Sequence, residues 1–443
     1  MTPVPSKLLL GAVASVVPVA AAAGALPELW PVAVIALGGI GLAAALDLLT
    51  TLRGGRLPVV EAPAVSRLTK DRAGKIALVV VNRSGAQQRV RFALALPEAF
   101  ASEEAEMQLA LPADKPRTLV EWTCTATRRG RFAAGPACVE MNSAWGLWQL
   151  RAQQPLTAEV RVYPNLFSER RQLAALFLER GQAGVKLRRL VGRGREFERL
   201  REYQPGDSFD EVHWKGTAKR GRPITKIFQV ERTQEIYVII DASRLSARPA
   251  EQDGKTVTTL ERHLTAALVL LMAAGRQGDR FGLVVHDARV RAFLRAGSGA
   301  AHYGACREAV HAMEPSETTP DFAELFAMLR TRLRRRSLLV FLTDLSDPVL
   351  AEEFARHVRV VSRQHLVLVN QVRTPGVEPL FEREVTSDAE VYARLAGHLA
   401  WREARDLAGK LQPAGVTAAM LPNERLATEL VNQYLQVKRR QLL

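Results

Sequence analysis

The chain has 443 residues, with 61 Lys+Arg against 46 Asp+Glu, a formal net charge of +15. Hydrophobic residues make up 47% and charged residues 24%, which excludes wholesale disorder, collagen and low-complexity classes. The length suits roughly two to four domains. Three cysteines cannot build a disulfide scaffold, and their odd number fits a reducing compartment. The basic excess points to an acidic partner: nucleic acid, anionic lipid or an acidic protein surface.

Residues 8–26 and 29–46 are two uncharged apolar runs separated by Pro27-Glu28. A helix needs about 20 apolar residues to cross the hydrocarbon core, so residues 1–58 read as a transmembrane hairpin. Lys7 precedes the first run, Arg53 and Arg56 follow the second, and the connection holds no Lys or Arg. The positive-inside rule then places both ends and the bulk of the chain in the cytoplasm, with the hairpin in the inner membrane. A cleaved signal peptide is the alternative, with Lys7 and the small residues Ala20 to Ala25 as its cues. The full-length second run weighs against it.

Residues 59–164 are predicted to form a β-sandwich. Ile76–Val81 and Val90–Leu96 read as strands, and Val120, Trp122, Cys124 and Ala126 alternate with polar residues. Arg129-Gly130 and Gly135-Pro136 are turn signals. Cys124 and Cys138 are read as strand neighbours or as two buried thiols. No catalytic cluster is visible in this region.

Residues 165–232 comprise a helix over 165–183 and then a basic segment. Residues 166–232 carry 16 basic and 9 acidic side chains, a net +7, so 67 residues hold almost half of the excess charge. Residues 233–443 alternate strands and helices. Strands are predicted at Ile236–Ile240, Phe281–Val285, Leu338–Leu342, Leu366–Val369 and Val416–Leu421. Helices are predicted at 258–275, 321–335, 349–364, 388–411 and 424–440. This alternation specifies a parallel, doubly wound α/β domain, whose ligands sit at the carboxyl ends of the strands. Asp241 and Asp344 follow two of those strands.

The order Gly194-Arg195-Glu196-Phe197, Leu200-Arg201-Glu202-Tyr203, Pro205-Gly206-Asp207, His213-Trp214-Lys215 and Ala218-Lys219-Arg220 resembles the signature of a bacterial family. That family is the domain of unknown function fifty-eight. Trp145-Gly146-Leu147-Trp148 resembles the segment that closes its β domain. The resemblance implies a membrane-anchored protein with a von Willebrand factor A-like domain. It also implies work beside a MoxR-type AAA+ ATPase in protein maturation or complex assembly. Asp210-Glu211 depart from the family, which often has basic residues there.

Von Willebrand factor A-like domains bind a divalent ion through Asp-x-Ser-x-Ser, a loop Thr and a later Asp, oxygen donors suited to Mg²⁺. Here Asp241, Ser243, Thr319 (or Thr318) and Asp344 match. Leu245 stands at the second Ser position, with Ser246 one place late, so the set is degenerate. The competing reading has both aspartates capping helices. In the signature, Arg199, Arg201, Asp207, Trp214, Lys215 and Arg220 form either a structural clasp, with Trp214 packed on the sheet, or a docking face for an acidic partner. Nucleic acid is disfavoured, because the interleaved acids repel phosphate.

Gly254-Lys255-Thr256 lacks the rest of a phosphate-binding loop, and neither His-Glu-x-x-His nor Cys-x-x-Cys occurs. His263 and His286 read as residues at element ends. The sequence is therefore read as a non-enzymatic, membrane-anchored adaptor. The alternative is a metal-dependent hydrolase or nucleic-acid-binding protein that uses the strand-end aspartates.

Overall fold

The computed structural model describes residues 1–26, 29–54, 57–181, 191–204, 209–229, 234–252, 254–380 and 388–440. Pro27-Glu28, Arg56 and Asp207 lie outside the described residues, as does the side chain of Arg199. The described chain divides into two compact units, Met1–Asn165 and Leu166–Leu443.

The first unit begins with a short strand, Thr2–Pro5, that pairs antiparallel with Trp148–Gln154. Pro3 and Pro5 conceal it in the sequence. Proline donates no ladder hydrogen bond and is tolerated because this strand lies at the sheet edge. Helix α1 (Lys7–Ala25) starts at once, capped by the Ser6 hydroxyl, which accepts from Leu9 N. Helix α2 is Trp30–Arg53. Both are long and apolar enough to cross a membrane, and only 17% of each apolar window is buried. A core helix of a water-soluble domain would be mostly covered.

The rest of the first unit is sheet, antiparallel throughout except where Val65–Thr69 pairs parallel with Glu159–Tyr163. A five-stranded sheet runs in the order Thr2–Pro5, Trp148–Gln154, Ala137–Asn142, Gln88–Leu94, Met107–Leu111. A four-stranded sheet runs Val59–Glu61, Ala73–Val81, Arg117–Ala126, Phe100–Ala101. The period-2 alternation turns Ile76, Leu78, Val80, Val120, Trp122 and Cys124 of one sheet towards Val90, Phe92, Leu94, Val139, Met141 and Leu150 of the other. Phe92 meets Trp122 edge to face, with ring centroids 5.6 Å apart. A third sheet pairs Val65–Thr69, Glu159–Tyr163 and Gly130–Ala133. Cys124 lies opposite Gly74, and Cys138 lies between Ala93 and Gln153. The two cysteines stand in different sheets, so they are not strand neighbours. Cys124 is buried and Cys138 half-buried, and burial pushes the Cys124 thiol up to about 11.

In the second unit, α3 (Phe167–Gly181) is followed by a two-stranded antiparallel ribbon, Val191–Glu202 with Ile224–Gln229. Between the ribbon strands lies α4 (Trp214–Arg220). The basic segment is thus a hairpin with a helical insert.

A six-stranded sheet follows, in the order Val290–Gly297, Arg280–His286, Glu235–Asp241, Leu338–Leu342, Leu366–Val372, Val416–Leu421. All pairings are parallel except that of the edge strand Val290–Gly297. Ile236, Val238 and Ile240 face α5 (Thr259–Arg276) and the last helix of the chain, Leu426–Arg439. Tyr237 and Ile239 face α7 (Phe322–Arg332) and α8 (Pro348–Ser362). Helices on both faces explain why the strands read as near-continuous apolar runs. The edge strand, α6 (Gly299–Val310) that follows it and the small hairpin Pro249–Gln252 with Lys255–Thr258 are among the elements the sequence pattern does not predict. Chain order reverses between Glu235–Asp241 and Leu338–Leu342, and the crevice at their carboxyl ends is where such sheets hold ligands.

Candidate functional site

Two places merit description: the strand-end crevice and the signature segment. Glu235–Asp241 ends on a buried aspartate. Asp241 Oδ1 accepts from Ser243 N at 2.8 Å, and Oδ2 accepts from the Thr343 hydroxyl at 2.7 Å. Ser243 is buried and its Oγ accepts from Leu245 N, while Ser246 Oγ donates to Ser243 O at 2.8 Å. Asp344 Oδ1 accepts from Ser346 N at 2.9 Å, and Oδ2 accepts a short hydrogen bond from the Arg248 guanidinium. Arg248 also donates to Ser346 Oγ at 2.8 Å. Thr319 Oγ1 accepts from Arg244 Nε at 3.2 Å, and Thr318 Oγ1 shares a hydrogen bond with Ser316.

The fold therefore gathers Asp241, Ser243 and Asp344 at one end of the sheet. A loop tied to Arg244 and Ala242 brings Thr319 near. The arrangement does not fit a Mg²⁺ ion. Arg248 supplies the positive charge on Asp344, Thr343 holds the free oxygen of Asp241, and the Thr319 hydroxyl is turned to Arg244. Among the described residues no cluster of three or more His, Cys, Asp or Glu side chains has metal-holding geometry. Neither aspartate serves as an N-cap. Helix α8 is capped by Asp347 and α7 by Asp321. Asp241 and Asp344 instead tie the loops that follow their own strands.

Below the crevice lie His263 of α5 and His286, both buried, and the His263 ring nitrogens find no hydrogen-bond partner among the described residues. Burial lowers the His263 pKa from 6.5 to about 4, against the pull of Asp241 and Asp344 in the other direction. Burial lowers His286 as well, again opposed by Asp241. Both are buried rings; His286 does end its strand, Arg280–His286, whereas His263 lies within α5 rather than at its end. Leu260, Leu264 and Leu268 on the same helix mark the buried face that includes His263, but the partners of Asp241 and Asp344 lie about a hundred positions away. Arg248 and Thr343, the residues that close the crevice, therefore carry no local signal.

The signature segment is the open counterpart. His213 N donates to Ile224 O, and the His213 ring accepts from Gly216 N at 2.9 Å, capping α4. Gly216 is required by closeness, since an added Cβ would stand 2.6 Å from His213 Nδ1. Gly221 ends the helix at φ 66°, the left-handed position that favours glycine. The Thr217 hydroxyl accepts from Ile224 N, tying α4 to the ribbon. No residue of α4 is buried. Trp214 is 68% exposed, so the reading in which it packs against a sheet is corrected: it points to water. Phe209, five residues earlier and 73% exposed, touches the Tyr203 ring. Lys215, Lys219 and Arg220 are exposed on the same short helix. Arg201 lies on the ribbon opposite Thr225, with a guanidinium nitrogen donating to Glu202 O at 3.3 Å.

Residues 199–382 match the family model described as protein of unknown function DUF58, the match to which the signature pointed. Uncharacterized proteins of Mycobacterium bovis and Mycobacterium tuberculosis are each 27% identical over 198 residues, 43% of this chain. The match spans 59% of the length of those curated relatives. Among solved structures, the conserved hypothetical protein BatB of Bacteroides thetaiotaomicron aligns with 47% of this chain and 99% of its own (14% identity, TM-score 0.33). An aerotolerance-related membrane protein of Bacteroides fragilis aligns with 46% of this chain and 98% of its own (13% identity, TM-score 0.29). Likenesses this slight decide neither fold nor activity.

Proposed function

We propose that this protein is a membrane-anchored, non-enzymatic adaptor that docks a partner on the exposed signature helix. Helices α1 and α2 are the anchor, held in the inner membrane. Lys7 and Arg53 favour the cytoplasm for the two units. The α/β unit acts as a von Willebrand factor A-like module without a resident metal, and its partner is a MoxR-type AAA+ ATPase with an acidic docking face. The observation that carries this reading is α4. A tryptophan and three cations stand on one short helix with nothing buried, fixed at both ends by the His213 cap and Gly221. Exposed large aromatics beside cations are the composition of binding hot spots. Rim charges of one sign steer a partner of the other.

Co-purification tests the reading. Full-length protein in detergent or nanodiscs should retain the MoxR-type ATPase of its own organism, and Lys215→Glu with Arg220→Glu should release it. Retention of the ATPase by the double variant would contradict the docking face. Phosphodiesterase activity dependent on Asp241 would contradict the adaptor reading altogether.

A further inference from the structure

The geometry points to a seat for the first unit on the bilayer surface, formed by the loop Ser143–Trp148, with Trp145 in the headgroup layer. The inference rests on the reading of α1 and α2 as membrane spans and adds where the membrane boundary falls. Asp47 lies within the apolar helix α2, yet it is buried. Its carboxylate accepts from Trp145 N at 2.9 Å, from Leu147 N at 3.2 Å and from the Ser143 hydroxyl. One turn on, Thr51 Oγ1 accepts from Ala144 N at 3.2 Å. One turn earlier, Ala44 O accepts from the Trp148 indole at 2.8 Å. About two turns of α2, from Ala44 to Thr51, are thus gripped by one loop. A carboxylate that would be expensive in hydrocarbon becomes the fixing point between span and sandwich.

The level of this grip sets the boundary. Helix α1 starts at Lys7, where Ser6 N donates to Leu147 O, so the same loop also holds the base of α1. At 1.5 Å per residue, the stretch of α2 from Trp30 to Asp47 is about 26 Å long and α1 about 28 Å, close to the roughly 30 Å of hydrocarbon. Both lengths end at the loop. Leu42 and Leu46, on the turns that lead up to Asp47, are exposed, which suits acyl chains, and the exposed Leu49 and Leu52 carry this face past the grip towards the headgroup layer. Trp145 is 56% exposed, although its backbone N–H is fixed to Asp47. An amphipathic indole held at the end of the apolar stretch is what the membrane–water interface selects. Trp30 stands exposed at the opposite end of α2.

The test uses the full chain in phosphatidylglycerol/phosphatidylethanolamine vesicles. The acyl chains carry bromine either near the headgroup or near the chain terminus. The emission lost between wild type and Trp145→Phe reports Trp145 alone, because the other tryptophans are common to both proteins. Shallow bromine should quench this component severalfold more than deep bromine. Asp47→Ala should abolish that preference while the protein still floats with the vesicles. A Trp145 component that shallow bromine leaves unquenched, in a protein that does float, overturns the seat and leaves the anchor standing. A chain that fails to float overturns the anchor reading itself. If Asp47→Ala does not fold, the pair of wild type and Trp145→Phe decides alone. A seat that persists unchanged in a folded Asp47→Ala overturns the role of the grip.

Discussion

At the carboxyl end of the parallel sheet, Asp241 and Asp344 are each taken by donors from the chain itself. On α4, by contrast, an indole and three cations face water. The two regions belong to the same unit. The difference lies in where the partners come from. Thr343 and Arg248 fold in to close the crevice, whereas nothing among the described residues folds over Trp214. Polar groups already satisfied internally stabilise, and those left in water are available for recognition. Substitutions in the crevice should therefore cost stability and leave binding to a folded protein intact. Substitutions on α4 should do the reverse.

The largest expected effect on the closed region is that of pH. His263 holds a folded-state pKa of about 4 against an ordinary 6.5, so the unfolded chain takes up the proton first. Stability conferred by the neutral ring is full above the unfolded value and is lost as pH falls from 6.5 towards 4. By pH 4 the loss is about 3 kcal/mol. Urea unfolding at a series of pH values should show this slope in wild type and a shallower one in His263→Leu. Equal slopes would contradict the burial argument.

Next comes Asp241→Ala. It strands the Thr343 hydroxyl and Ser243 N in a buried site, and should cost about 2 kcal/mol, measurable as a lowered Tm. Gly216→Ala crowds the His213 ring that caps α4 and should cost about 1 kcal/mol. Faster amide exchange at Thr217 would register it. The smallest effect is expected for Trp214→Ala and Lys215→Glu, within about 0.5 kcal/mol of wild type, while partner binding falls. Millimolar Mg²⁺ should leave the Tm unchanged. A clear rise would show that the ion displaces Arg248 and would return the crevice to the metal-site reading.

Much of this contrast was legible from residues alone. The buried runs Ile236–Ile240 and Leu338–Leu342 located the sheet, and the aspartates after them located its crevice, because a parallel strand covered on both faces must be apolar throughout. The spacing of Leu260, Leu264, Leu268 and Leu271 gave α5 its inner face. The closing residues were not legible: Arg248 meets Asp344 across 96 positions and Thr343 meets Asp241 across 102. The edge strand Val290–Gly297 alternates only weakly, since one side of it is half-exposed. Trp214 illustrates the opposite difficulty. A large aromatic in a charged segment reads as packed or as presented with equal ease, and only its surroundings choose. Asp47 reads as a polar interruption of an apolar helix until the loop that binds it, nearly a hundred residues later, is in place.

The most direct test of the docking claim is the affinity of the full-length protein, held in nanodiscs, for the MoxR-type ATPase at two salt concentrations. The account predicts that Lys215→Glu with Arg220→Glu weakens binding at least tenfold at low salt, with an unchanged Tm, and that raising the salt narrows the gap. Equal affinity of wild type and double variant at low salt would contradict it.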